Sequence, residues 1–236
     1  MGVGLNSGVE RLMVYVDMIE DEELREKVRD FLSDLRVTLT GEDVPLDWSP
    51  GGLSKHHAYE GGLLQHTEAT IRLGLLLCDL VEGLYQGRVR RDVVIAGCIL
   101  HDLMKAPGYE EREDGTYGRS PLGERIDHVS LMVAELYSRG FPLDVIHAVA
   151  AHHAEHGPIS PRTIEALIVH IADEADAKLN GEVLRAARYL IREATGVEPV
   201  RLSCRDAFEI VRVKAEEGWE GVRRYAREKL GMEVEP

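Results

Sequence analysis

The residues best able to do chemistry fall, well separated, in the order His57, His66, His101-Asp102, His128, His152-His153 and Asp173. Imidazole nitrogens and carboxylate oxygens are the usual ligands of zinc, iron and manganese, and a catalytic site needs several converging with a coordination position left open. Here the intervals between them run to tens of residues. Zinc fingers and knuckles bring their ligands in close pairs, so that class is excluded. The spacing points instead to one or two ligands from each of several helices, with room for two ions.

The chain can supply such helices. Its 236 residues are enough to bury a sizeable core in one domain. Apolar residues recur at helical spacing almost everywhere and no convincing alternating strand is found, so an all-α fold is expected. The periodicity predicts helices over about 8–20 and 21–36, a turn-rich stretch over 40–52, and a long helix over about 61–84. In that helix Leu63, Thr67, Thr70, Leu73, Leu77 and Leu80 form one stripe, with His66 on its edge facing inward. Asp92 is placed to cap a helix through Val93 to Leu100, apolar on all sides and hence buried, which ends in His101-Asp102. A loop over 106–123, carrying Tyr109, Arg112, Tyr117 and Arg119, is expected near the mouth of the site, as a lid or as plain surface. Further helices are expected at about 124–139 and 142–156. Ser160-Pro161 should then open a helix that carries Asp173 and stops near Asn180-Gly181. Helices near 182–195, 204–217 and 218–230 complete the expectation.

Composition narrows the function. A net charge of −14 opposes loose binding to phosphate backbones, so long RNA or DNA is a poor partner. No apolar run approaches the roughly 20 residues of a membrane span, and no signal peptide is recognisable, so a soluble, cytoplasmic protein is expected. Cys78, Cys98 and Cys204 imply no disulfide framework.

A lone His-Asp doublet is more often a capping or solvated pair than a site. In combination, however, the segments KHHAYEGGLLQHT (Lys55–Thr67), LHDLMK (Leu100–Lys105), AHHA (Ala151–Ala154) and HIADEADAK (His170–Lys178) resemble the HD superfamily of metal-dependent phosphohydrolases. The resemblance covers roughly residues 20–180. It implies a compact HD-type helical bundle, one domain over 1–236 with a metal-binding core about 53–180 and a C-terminal helical extension about 181–236. By it, His66, His101, Asp102 and Asp173 would hold one metal, His128 and His152 would complete a second, and Asp102 would bridge them. Two divalent ions are expected, iron or manganese first, with zinc, nickel, cobalt or magnesium as alternatives. Asp102 and Lys105 are the expected catalytic pair, Lys105 acting as a positive charge on phosphoryl oxygen. His153, His57, Tyr59, Arg112 and Arg119 are further expected contacts to substrate or metal, and on a helix His153 would point about 100° away from His152. Solvated or capping roles are expected for His56, His147, His156 and His170. Met104, where many relatives carry glycine, and Glu60 depart from the commonest wording without removing a ligand.

The function implied is a phosphohydrolase, foremost a phosphodiesterase acting on a small nucleotide-like molecule through water activated by two metals. Two branches of the superfamily are similar in wording. One is the bacterial 3′–5′ exoribonucleases, whose additional N-terminal nucleic-acid domain does not fit the roughly 55 residues before the motif. The other is a compact archaeal branch opening dihydroneopterin 2′,3′-cyclic phosphate, which makes a small cyclic phosphodiester the first expectation. Alternatives are an exoribonuclease-like or nucleotide phosphohydrolase, a di-iron oxygenase, which uses a similar ligand set, and a non-catalytic nucleotide-binding module.

Overall fold

Residues 7–233 are described by the computed structural model. They form helices α1 (Ser7–Val16), α2 (Glu22–Ser33), α3 (Gly62–Gly83), α4 (Arg91–Leu100), the single turn α5 (Lys105–Gly108), α6 (His128–Ser138), α7 (Leu143–Ala150), α8 (Ile164–Thr195) and α9 (Cys204–Lys229), with a short hairpin, β1 (Tyr109–Glu111) and β2 (Tyr117–Arg119). The all-α expectation therefore holds, and none of these helices is long and apolar enough to cross a membrane.

The uniformly apolar run Val93–Leu100 behaves as its composition demands: every residue of it is buried. α4 thus forms the centre of a core that α1, α2, α3, α6, α7 and the first half of α8 surround. The stripe expected on α3 is rotated. Leu63, Thr67 and Thr70 are buried with Ile71, Gly74 and Cys78, whereas Leu80 is exposed. Small residues at 74 and 78 allow α3 to approach α4 closely: a Cβ on Gly74 would meet Cys98 Sγ at 3.1 Å. A second apolar cluster, with Leu184, Ile191, Ala207, Ile210 and Val222, joins the far half of α8 to α9.

Four expectations are corrected. The helix carrying Asp173 does not stop at Asn180-Gly181 but runs 32 residues to Thr195, where Gly196 ends it with φ 76°. The Asn-Gly pair serves packing instead. Asn180 Oδ1 accepts the His57 backbone N–H at 2.6 Å, and a Cβ on Gly181 would lie 3.3 Å from the Lys55 carbonyl oxygen. This helix is capped by Thr163, whose side chain accepts the Ala166 N–H, rather than by Ser160. Asp92 lies inside α4, and its carboxylate accepts the backbone N–H groups of Glu20 and Asp21 at 3.0 and 2.8 Å, steering the entry to α2. The 106–123 stretch is not a plain loop. Tyr109 pairs with Arg119 and Glu111 with Tyr117 across an Asp114-Gly115 turn, the dipeptide that supplies the positive φ a tight hairpin requires (79° at Gly115). The expected break between the last two helices survives as a kink at Gly218.

Candidate metal centre

His66 comes from α3, His101-Asp102 from the turn closing α4, His128 from the start of α6, His152-His153 from the turn after α7, and Asp173 from α8. These elements bring the expected ligands together in one buried cluster. His66 Nε2 stands 3.0 Å from Asp173 Oδ1, 3.3 Å from Asp102 Oδ2 and 3.2 Å from His101 Nε2. On the other side of the same carboxylate, Asp102 Oδ1 is 3.2 Å from His128 Nε2 and 3.5 Å from His152 Nε2. Among the described residues three groups could hold an ion: His66-His101-Asp102-Asp173 and Asp102-His128-His152-His153, which share only Asp102, and His56-His57-His66, which has no carboxylate.

His153 joins the second set because α7 ends at Ala150. In the turn that follows, the 100° rotation between successive helical residues no longer applies, and the His152 and His153 rings lie 3.9 Å apart. His153 Nε2 also lies 3.1 Å from His128 Nε2.

The imidazoles are aimed by what holds their other nitrogens. His101 Nδ1 donates to the Cys98 carbonyl at 2.8 Å, and His152 Nδ1 donates to the Val149 carbonyl at 2.6 Å, so each presents Nε2 to the cluster. His170 Nδ1 in turn donates to the His152 carbonyl at 2.7 Å, which fixes the turn bearing the doublet. This is more than the solvated role expected of His170. His147 accepts the Arg162 N–H at 2.9 Å and His156 is exposed, as expected of residues outside the site.

Sequence reasoning missed Asp176, one turn beyond Asp173 on α8. Its Oδ2 accepts from His66 Nδ1 at 2.6 Å and from His57 Nε2 at 2.7 Å. The spacing i, i+3 was the available signal, since it places both aspartates on one helix face. Burial opposes the Asp176 anion, but these two imidazoles hold its carboxyl down at about 2. His57 and Tyr59 belong to this supporting network. The Tyr59 hydroxyl is 2.7 Å from His57 Nδ1 and 2.8 Å from Gln65 Oε1, and the Asn180 amide donates to it at 3.1 Å. Two local features permit the tight turn: His57 adopts φ 44°, and a Cβ on Gly62 would stand 2.1 Å from the His57 carbonyl oxygen.

Do these residues fit metal ions? Asp102 Oδ1 and His152 Nε2 are buried and have no hydrogen-bond partner, a costly state for polar atoms unless something else satisfies them. Asp102, Asp173 and Asp176 crowd around one imidazole, and like charges so placed need a cation. Although burial opposes it, these carboxylates raise the His66 pKa well above its ordinary value. Burial and then Lys105 and His101 act on Asp102; burial favours the neutral acid, yet the two bases hold the carboxyl far below the usual range. Burial and His152 push His153 down to about 3, which leaves a neutral imidazole able to donate a lone pair. Nitrogen and carboxylate oxygen donors without a thiolate suit iron, manganese or zinc.

Lys105 Nζ is 2.5 Å from Asp102 Oδ2, and both side chains are buried. Burial lowers the Lys105 pKa, but Asp102 more than restores it, so the ammonium is charged. Lys105, Tyr109, Arg119 and His128 line a small cleft beneath the hairpin, which places Arg119 beside the site. Arg112 lies apart from the ligands and lines a cavity with Arg188 and Arg201. His56 was expected to be solvated. Its ring instead lies 5.5 Å from that of His66, its Nδ1 is buried without a partner, and burial and Lys105 depress its pKa to about 3.

Asp176→Asn keeps the shape of the clamp on His66 and removes its charge. Carboxylate partners of ligating histidines are worth about 10- to 100-fold in metal affinity, so a loss of that size is expected in a manganese titration of the folded variant. Unchanged affinity would reduce Asp176 to a packing role.

Comparison with known proteins identifies this arrangement. Residues 63–178 match the HD domain. The chain is 39% identical over 213 residues to the dihydroneopterin 2′,3′-cyclic phosphate phosphodiesterase of Methanocaldococcus jannaschii, covering 89% of this chain and 85% of that enzyme. It is 30% identical over 143 residues to the 3′-5′ exoribonuclease YhaM of Shouchella clausii and 32% over 142 residues to that of Bacillus subtilis. Each of those matches covers 56% of this chain and 43% of the exoribonuclease. No solved structure matches. Its matched span carries His66, His101-Asp102, His128, His152-His153 and Asp173, and the chain belongs to the HD-domain family of phosphohydrolases.

Proposed function

We propose that the enzyme holds two divalent ions, iron or manganese, and hydrolyses a small cyclic phosphodiester, foremost a 2′,3′-cyclic phosphate of a pterin or nucleoside. The observation that carries the two-ion reading is the division of Asp102: Oδ2 faces His66 and His101, while Oδ1 faces His128 and His152. His66, His101, Asp102 and Asp173 would hold one ion, and Asp102, His128 and His152, with His153, the other. Bound there, such a pair would lower the pKa of water and neutralise charge on the attacked phosphoryl group.

The chain's own residues do the rest. The Lys105 ammonium, fixed against Asp102, offers a compact positive charge to a phosphoryl oxygen, with Arg119 at the same cleft. Carbonyl and carboxylate partners hold His101, His152 and His66 in one tautomer and one orientation, so no rearrangement is needed when substrate arrives. The choice of substrate rests on the similarity to the methanogen enzyme along most of both chains, against coverage of less than half of the exoribonucleases. A net charge of −14 also disfavours a long polyanion.

Manganese- or iron-loaded protein should therefore show its highest kcat/KM on dihydroneopterin or nucleoside 2′,3′-cyclic phosphates, ahead of 3′,5′-cyclic nucleotides, nucleoside triphosphates and single-stranded RNA. Stepwise release of nucleotides from RNA as the preferred reaction would move the assignment to exoribonuclease.

A further inference from the structure

Beside the metal centre lies a cavity of about 760 Å³, within the range of small-molecule sites. It begins at His56, whose ring neighbours that of His66, and runs along α8 past Lys178 to Arg188 and Tyr189. A second cavity of about 570 Å³ adjoins it, and Ser54, Arg188 and Glu198 line both.

At this junction a hydrogen-bond donor and a carboxylate acceptor line the same space. Arg188 donates from Nη1 to the Ser54 carbonyl at 2.8 Å, while its Nε is buried without a partner. Although Arg188 is twelve residues beyond Asp176, that bond anchors the guanidinium two residues from His56. Glu198 is exposed, and among the described residues its one ionic neighbour is Arg192, at 3.7 Å. A buried donor without a partner and an exposed carboxylate acceptor thus line the same two cavities, and together they fit a ligand edge that offers a carbonyl next to N–H groups. Half-exposed Tyr189 adds an aromatic wall to the first cavity.

We propose that this junction is the specificity subsite of the enzyme and reads the lactam edge of a bicyclic 2-amino-4-oxo-type heterocycle in the non-reacting part of the substrate. The ring N–H and amino group donate to the Glu198 carboxylate, and the ring carbonyl accepts from Arg188 Nε. Pterins and guanine carry this edge; adenine does not, because its ring nitrogen accepts where guanine donates. The assignment rests on the cyclic-phosphodiesterase reading above, since it places the scissile phosphate at the metal centre and the ring beyond His56.

The test compares kcat/KM for guanosine and adenosine 2′,3′-cyclic phosphates with the manganese-loaded full chain. A bidentate polar contact discriminates by about 10- to 100-fold, so the guanosine compound should be preferred by that factor. The preference should collapse towards one in Glu198→Gln, an exposed and nearly isosteric change, and in Arg188→Met. A ratio near one in the wild type, or a ratio that both variants leave intact, overturns the proposal. If neither cyclic phosphate is hydrolysed, the phosphodiesterase reading fails and binding decides the subsite separately. Calorimetry with guanosine 3′-monophosphate and adenosine 3′-monophosphate should then still show tighter binding of the guanosine compound, reduced in Glu198→Gln. Equal affinities would dispose of the subsite as well.

Discussion

Asp102→Asn is expected to abolish turnover and to leave the protein unable to hold either ion, whereas the wild type should load two per chain. The reason lies in the position of one carboxylate. Its two oxygens serve different ligand sets, so a single change removes an anionic donor from both. Elemental analysis of anaerobically purified protein reads the effect directly, and His128→Ala, which touches only the second set, should retain one ion. A variant Asp102→Asn that keeps two ions, or near wild-type turnover, would remove the basis of the mechanism. The same substitution carries a folding cost. Lys105 is buried against Asp102, and removing one partner of a buried pair costs about 3–5 kcal/mol because the remaining charge is uncompensated. Asp102→Asn with Lys105→Met should recover much of that stability without recovering metal, which separates the folding loss from the chemical one.

The site was more legible in the sequence than the scaffold. His66, His101, Asp102, His128, His152 and Asp173 are readable because a side chain that ligates a metal must be one of few types, and their motif wording is specific. What the sequence did not convey was tertiary. Asn180-Gly181 is a strong local stop signal, yet a helix interior tolerates it at a cost of about 1 kcal/mol for the glycine when packing compensates. Here the turn bearing His57 docks on that pair. The hairpin escaped notice because three-residue strands are too short to show alternation, although Asp114-Gly115 marked the turn. Asp176 and His170 bear on the candidate ligands through His66 and through the His152 carbonyl; the i, i+3 spacing from Asp173 marked the first, and nothing in the sequence marked the second. His56 and His57 are neighbours in sequence with different surroundings. His57 points into the Asp176 clamp and His56 lines the adjoining cavity, a difference set by the left-handed backbone at position 57.

Lys105→Ala should keep both ions and lose turnover by about 10²–10³-fold, the effect of deleting one preorganised electrostatic contact to a charged transition state. Metal retention follows because Lys105 contributes no ligand, and bound ions would compensate the Asp102 charge that its ammonium balances. The loss should appear in kcat rather than in KM if the ammonium interacts more strongly as charge builds on the phosphoryl oxygens than it does with the bound substrate. Lys105→Arg distinguishes a charge from a shape: it restores the positive charge, but a planar fork does not replace a compact ammonium, so recovery should be partial. Full activity in Lys105→Ala with unchanged metal content would return Lys105 to the role of a buried counter-charge that holds Asp102 in place. The lysine would then matter for folding, and the phosphoryl charge would have to be met from the ions and Arg119 alone.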